Sequence, residues 1–178
     1  SYDLTFALQR QKGQGPLLRQ YLNVLEPYQG TRKLQKIEPL TVTGEAKDGA
    51  FPPLALRVTG EGFTDTIIIQ DVPTRVQAGG LTSDGVFALW RERDGKMQTA
   101  CLVQGTEAAG AGGAKVTLPV GAYEGKIASC DWAQKTIRVE LGEASSKALS
   151  GNAQGLVGRH VLLTNEAGNT ASYAIQKA

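Results

Sequence analysis

Apolar residues recur at every second position along almost the whole chain, and no stretch of helical length carries a sustained 3.6-residue period. Successive side chains of a strand point to opposite faces, so this alternation is the signature of half-buried β-structure. Val86 to Arg93 and Lys96 to Val103 show it most clearly, because they flank Asp94-Gly95. A two-residue Asp-Gly connection favours a type I′ hairpin, whose central residues both take positive φ. Further strands are expected at Tyr2–Leu8, Tyr21–Glu26, Lys36–Val42, Leu54–Thr59 and Thr66–Gln70, with Gly60-Glu61-Gly62 as a turn. The β-branched run Ile67-Ile68-Ile69 suggests a strand covered on both faces.

Beyond the hairpin, Ala108 to Ala114 is rich in Ala and Gly and reads as a flexible loop with nothing to bury. Alternation resumes in Val116–Val120, Gly125–Asp131 and Lys135–Leu141. Ser145 to Gly155 is a loop or a single helical turn, and Arg159–Thr164 pairs with Thr170–Gln176 across Asn165 to Asn169. About twelve short strands argue for an all-β fold: an antiparallel β-sandwich with a smaller C-terminal β unit. The expected division is 1–107 for the sandwich and 115–178 for the smaller unit, unless the two form one continuous domain. The 22 glycines among 178 residues, against a usual share of about 7%, supply the turns such a fold requires.

Charge excludes one large class of partner. The 19 basic and 17 acidic residues are interspersed, with no Lys/Arg block, so nucleic acid has no electrostatic footprint to meet. No apolar run reaches the roughly 20 residues of a membrane-spanning helix, and no membrane partner is expected. Ser1 opens directly onto strand-like sequence without an initiator Met, which suggests an excised or processed piece of a longer protein.

Chemistry is sparse. GxGxxG, P-loop and GxSxG motifs are absent, and Gly110-Ala111-Gly112-Gly113 lacks the Lys-Ser/Thr and helix of a phosphate loop, so no cofactor is expected. One His and two Cys without a CxxC pair give no usual zinc ligand set. Cys101 and Cys130 either bridge in an oxidising compartment or serve as small buried hydrophobes; their place in strand-like runs favours buried free thiols. His160 is a candidate general base with no partner in a recognisable motif. Glu26, Asp65, Asp71 and Asp131 lie near strand ends, where two carboxylates flanking a glycosidic bond would suit hydrolysis and where capping is the plainer role.

Aromatic rings offer a different surface, since the apolar face of a sugar packs on a flat ring at little entropic cost. Trp132 falls in the turn after Asp131, where an indole would be exposed, and Tyr28 and Tyr123 also sit beside turns. Trp90 shares a strand face with Val86 and Ala88, opposite Phe87 and Leu89. It becomes a carbohydrate contact only if Phe87 and Leu89 face the core. Trp132 and Trp90 are the carbohydrate-binding candidates, set against the plainer role of closing the sandwich ends.

Leu4 to Arg10 followed by Tyr21-Leu22-Asn23-Val24-Leu25-Glu26-Pro27-Tyr28 resembles the "strand, then F-V-x-V-x-E-P-Y" passage in the C-terminal β-region of heparinase II/III-like polysaccharide lyases. Thr64 to Ile68, Gly125 to Asp131 with Thr136 to Val139, Leu156 to Arg159 and Thr170 to Ile175 resemble later strands of that region in the same order. The resemblance implies a parent protein, periplasmic or secreted, with an upstream helical catalytic domain that cleaves acidic, uronate-containing polysaccharide by β-elimination. His and Tyr perform that chemistry in the family, largely from the helical domain and early strands. None of those residues can be carried onto this sequence, so the chain is expected to be a non-catalytic β-domain supporting the helical one and contacting acidic polysaccharide. Two other readings are a self-sufficient carbohydrate-binding module, using exposed aromatics, and a small enzyme built around His160.

Overall fold

The computed structural model describes residues 14, 20–44, 47, 50–150 and 153–178. The strand expected at Tyr2–Leu8 lies outside them. Contacts divide the chain after Arg32 into two units. In the first, residues 20–28 adopt no regular structure, which corrects the strand expected at Tyr21–Glu26. Alternation becomes a strand only when a neighbour completes the hydrogen-bond ladder, and here no ladder forms. Arg32 instead lies over the Tyr28 ring, 5.3 Å from its centroid, and approaches Glu26 at 3.9 Å.

The second unit is all-β, as the alternation predicts, with fourteen strands among the described residues. Sheet 1 contains β1 (Leu34–Leu40), β3 (Leu54–Gly60), β4 (Phe63–Ile69), β7 (Phe87–Arg93) and β8 (Lys96–Val103), in the order β1-β3-β4-β7-β8. Sheet 2 is assembled from shorter pieces: β2 (Thr43–Gly44), β5 (Val76–Ala78), β6 (Leu81–Ser83), β9 (Glu107–Ala109) and β10 (Lys115–Thr117), ordered β10-β9-β6-β5-β2. All pairings are antiparallel. Two separate hairpins follow, β11 (Gly125–Asp131) with β12 (Thr136–Leu141) and β13 (His160–Thr164) with β14 (Thr170–Ala174). Between them lie a short helix, α1 (Glu143–Leu149), and a 3-10 turn over Ala153–Leu156.

Turn chemistry sets the hairpins. Asp94 and Gly95 have φ of 51° and 70°, both positive as the I′ turn demands. Gly79-Gly80, with φ of 55° and 88°, does the same between β5 and β6, a hairpin that the alternation does not reveal because each arm has only three residues.

Cross-strand rows show where the core lies. Leu40, Ala55, Ile68, Ala88 and Leu102 pair in succession across sheet 1. Ala55, Ile68 and Ala88 pack with Val76, Ala78, Leu81 and Ala108 of sheet 2, and Leu40 and Leu102 close the margins. Ile68 is wholly buried, while Ile67 and Ile69 on the other face are half-buried, so the run is sealed on one side only. The next row, Arg57, Thr66 and Trp90, mixes polar groups with the indole; the one after, Thr59, Thr64 and Glu92, is polar throughout. Strands of two or three residues in sheet 2 face strands of seven or eight in sheet 1, so sheet 1 extends past its cover. The change from apolar to polar along one face follows that loss of cover.

The 108–114 segment is not a flexible loop. Ala108 belongs to β9 and is buried, and Gly110 to Ala114 turn the chain from β9 into β10 within sheet 2. At Gly110 the small residue answers to packing, since a Cβ there would lie 2.6 Å from Cε2 of Trp90, while Gly112 and Gly113 at the turn's tip stand open. A 3.0 Å hydrogen bond from the Gly110 N–H to the carbonyl of Ala114 closes the turn.

Candidate functional site

The residues singled out in the sequence scatter. Trp90 is 2% exposed and faces the core beside Ala88, which removes it as a carbohydrate contact. Phe87 and Leu89 take the opposite, outer face of sheet 1, contrary to the arrangement its candidacy needed. The Trp90 indole N–H is buried without an acceptor among the described residues, an arrangement that costs about 1–3 kcal/mol and that the packing around the ring must offset. Trp132 is 75% exposed in the connection between β11 and β12. The turn that presents it is closed by Asp131, whose Oδ1 accepts the Gln134 amide at 3.0 Å, and by Lys135 at φ 53°.

Each carboxylate candidate has a local context. Asp65 is buried on the outer face of sheet 1 and receives both Nε and one Nη of Arg91 at 2.7 Å. Arg91 also covers the Phe63 ring at 4.3 Å, and its own pKa is raised, chiefly by the hydrogen bond to Asp65. Asp131 caps its turn, Asp71 is exposed after β4, and Glu26 lies in the other unit. His160 is exposed at the start of β13, its Nδ1 3.0 Å from the Ser172 hydroxyl across the hairpin. Among the described residues, no group of three or more His, Cys, Asp or Glu is placed to hold a metal. Both cysteines are free thiols and both are exposed, so the expectation of buried thiols is corrected. The strands carrying them, β8 at a sheet edge and β11 in an isolated hairpin, have a face with no cover.

Charged groups elsewhere are largely spent within the fold. Glu107 accepts Arg75 and Lys115, which lowers its pKa, the lysine contributing most. Asp84 would be raised by burial, but the Thr106 hydroxyl and the Glu107 and Thr106 amides outweigh that and hold it below its ordinary value. Asp84 thereby ties the turn after β6 to the start of β9.

One recess departs from this pattern. Where sheet 1 extends past sheet 2, a groove of about 570 Å³ opens over Arg57, Thr59, Thr64, Thr66 and Glu92. Its rim is the glycine-bearing turns at Gly60–Gly62, Gly79 and Asp94-Gly95. One Nη of Arg57 donates to the Gly79 carbonyl at 3.3 Å, fixing the guanidinium against the rim. The side chains of Thr59, Thr64 and Glu92 have no hydrogen-bond or ion-pair partner among the described residues. Sequence reasoning missed these residues. The available signal was phase: Arg57 and Thr59 alternate in step with Ala55, and Thr64 and Thr66 with Ile68, placing polar groups on the core-facing side of two strands.

No family model, curated protein or solved structure matches the chain.

Proposed function

We propose that the chain is a non-catalytic β-domain of a heparinase II/III-like polysaccharide lyase, a periplasmic or secreted protein, and that it docks against the helical catalytic domain and lines part of the path of an acidic polysaccharide. The observation that supports a docking role is the state of residues 118–178. Ser145 is the only buried side chain among the described residues there, while Leu118, Tyr123, Ile127, Val139, Leu162 and Tyr173 stand exposed. Exposed apolar side chains in such number favour a surface that belongs against another body. The ordered motifs from Tyr21-Leu22-Asn23-Val24-Leu25-Glu26-Pro27-Tyr28 to Thr170–Ile175 are the basis for naming the family.

A second reading rests on Trp132, whose exposed indole on a turn suits a sugar-binding module. Two measurements separate the readings. Produced with the helical segment encoded upstream in the parent gene, the chain should co-purify as one complex; absence of association would remove the docking role. Glycan binding by the isolated chain that vanishes in Trp132→Ala would establish the module instead. Incubated alone with heparin or alginate, the chain should release no ultraviolet-absorbing unsaturated uronate. Release of that product, abolished by His160→Ala, would make the chain an enzyme and overturn both.

A further inference from the structure

We infer that the groove at the overhanging end of sheet 1 is a binding site for a neutral, hydroxyl-rich ligand, an uncharged oligosaccharide segment. The inference is independent of the docking role, because the groove belongs to the sandwich and the docking surface to residues 118–178.

Three observations carry it. The first is size and build: about 570 Å³ falls within the range of small-molecule sites, and its floor is three hydrogen-bonded strands rather than loops. Thr66, 5% exposed, lies at the deep end, paired directly with Trp90 across β4 and β7. The second is uncommitted hydrogen-bonding capacity. Ion pairs join Asp65 to Arg91 and Glu107 to Arg75 and Lys115, whereas Arg57 and Glu92 line one groove without pairing with each other. A guanidinium offers only donors and a carboxylate only acceptors, and the hydroxyls of Thr59 and Thr64 offer both. A ligand satisfying all of them must donate and accept at short intervals, as vicinal hydroxyls do.

The third is charge. Among the lining side chains Glu92 and Asp94 outnumber Arg57, but Arg93 donates to the Gly62 carbonyl on the rim, so the groove has no excess of positive charge to hold a polyanion. On the rim Gly62 and Gly95 leave backbone open to a ligand, whereas the Phe63 ring lies over Gly60, and Leu40 and Arg57 crowd Gly79. Phe63, packed over Gly60 and covered by the Arg91 guanidinium, does not compete as an open stacking platform. Hydrogen bonding to hydroxyls, not stacking or charge pairing, is therefore the mode of recognition.

The test uses the whole 178-residue chain, labelled for amide NMR, and titrates neutral hexasaccharides of gluco-, manno-, galacto- and xylo-configuration to about 10 mM, a ceiling that reaches millimolar sites. An alginate hexasaccharide serves as the charged comparison. At least one neutral sugar should shift the amides of Gly60, Gly62, Gly79 and Gly95 together, and Glu92→Gln and Arg57→Gln should each weaken it about tenfold or more, as loss of a charge-assisted hydrogen bond does. Unchanged amide positions of Ile68 and Ala88 certify that the variants fold. Should Arg57→Gln fail that check, Glu92→Gln, on the groove side of β7 near its end, decides alone. No groove shift with any neutral sugar, equal or tighter binding of the alginate hexasaccharide, or shifts confined to the surroundings of Trp132 would each overturn the inference.

Discussion

The sandwich and the residues that follow it use the same local grammar to opposite ends. Both are built from short antiparallel strands joined by tight turns with positive-φ residues. In the sandwich, one strand face after another meets a second sheet, and Ala55, Ile68, Val76, Ala78, Leu81, Ala88 and Trp90 vanish from solvent. In residues 118–178, two-stranded ladders form with register as regular as in sheet 1, yet β11 and β14 stay exposed throughout and β12 and β13 bury no side chain fully. Hydrogen bonding and alternation thus suffice to define a hairpin, whereas burial needs a second layer. An isolated hairpin is marginal in water, so the later region should depend on what it rests against far more than the sandwich does.

The comparison breaks most readily at its two tryptophans. Trp90→Ala removes the largest side chain of the core and leaves a cavity beside Gly110 and Ile68, for an expected loss of about 3–5 kcal/mol in urea unfolding. Recovery of less than about 1 kcal/mol of that figure would show that the two sheets are not the stabilising unit.

A smaller effect tests the joint inside the sandwich. Asp84 accepts hydrogen bonds from both the amide and hydroxyl of Thr106 and from the amide of Glu107. Asp84→Asn should cost about 1–2 kcal/mol near neutral pH, less than three charge-assisted bonds would suggest because water reaches part of the site. The carboxyl is held below its ordinary value of 3.8, so the folded state favours the ionised form. Its contribution is fully present above that ordinary value and drains away as pH falls through the lowered folded pKa. Wild type and variant should converge in stability on acidification below about pH 4. A gap that persists at low pH would assign the effect to packing.

How much of this was legible in the sequence differs between the regions. Hairpins with long arms announced themselves: Asp94-Gly95, Gly60 to Gly62 and Asn165 to Asn169 each sit between arms of at least five alternating residues. Gly79-Gly80 has the same chemistry, but arms of three residues are too short to display a period. Ala108 to Ala114 misled for a physical reason. Small side chains suggest nothing to bury, yet Ala108 and Gly110 are small because the sheet and Trp90 come so close. Which face of β7 is core could not follow from its own alternation, since Phe87 and Leu89 are as apolar as Ala88 and Trp90. The groove was hidden because Arg57, Thr64 and Glu92 meet only through the pairing of β3, β4 and β7.

The smallest effect is the sharpest discriminator. Trp132→Ala should leave stability within about 0.5 kcal/mol of wild type, because the ring it removes is already in water and Asp131 and Lys135 hold the turn without it. The same substitution is thus expected to cost several-fold more at position 90 than at position 132. Position in the layers, not residue type, governs that ratio. A loss above about 2 kcal/mol at position 132 would mean that the indole packs on another part of the molecule in solution, and the β11–β12 hairpin would then count as a covered element rather than an open one. Near-neutral stability joined to weaker association with the helical domain proposed above would locate the tryptophan inside the proposed docking surface.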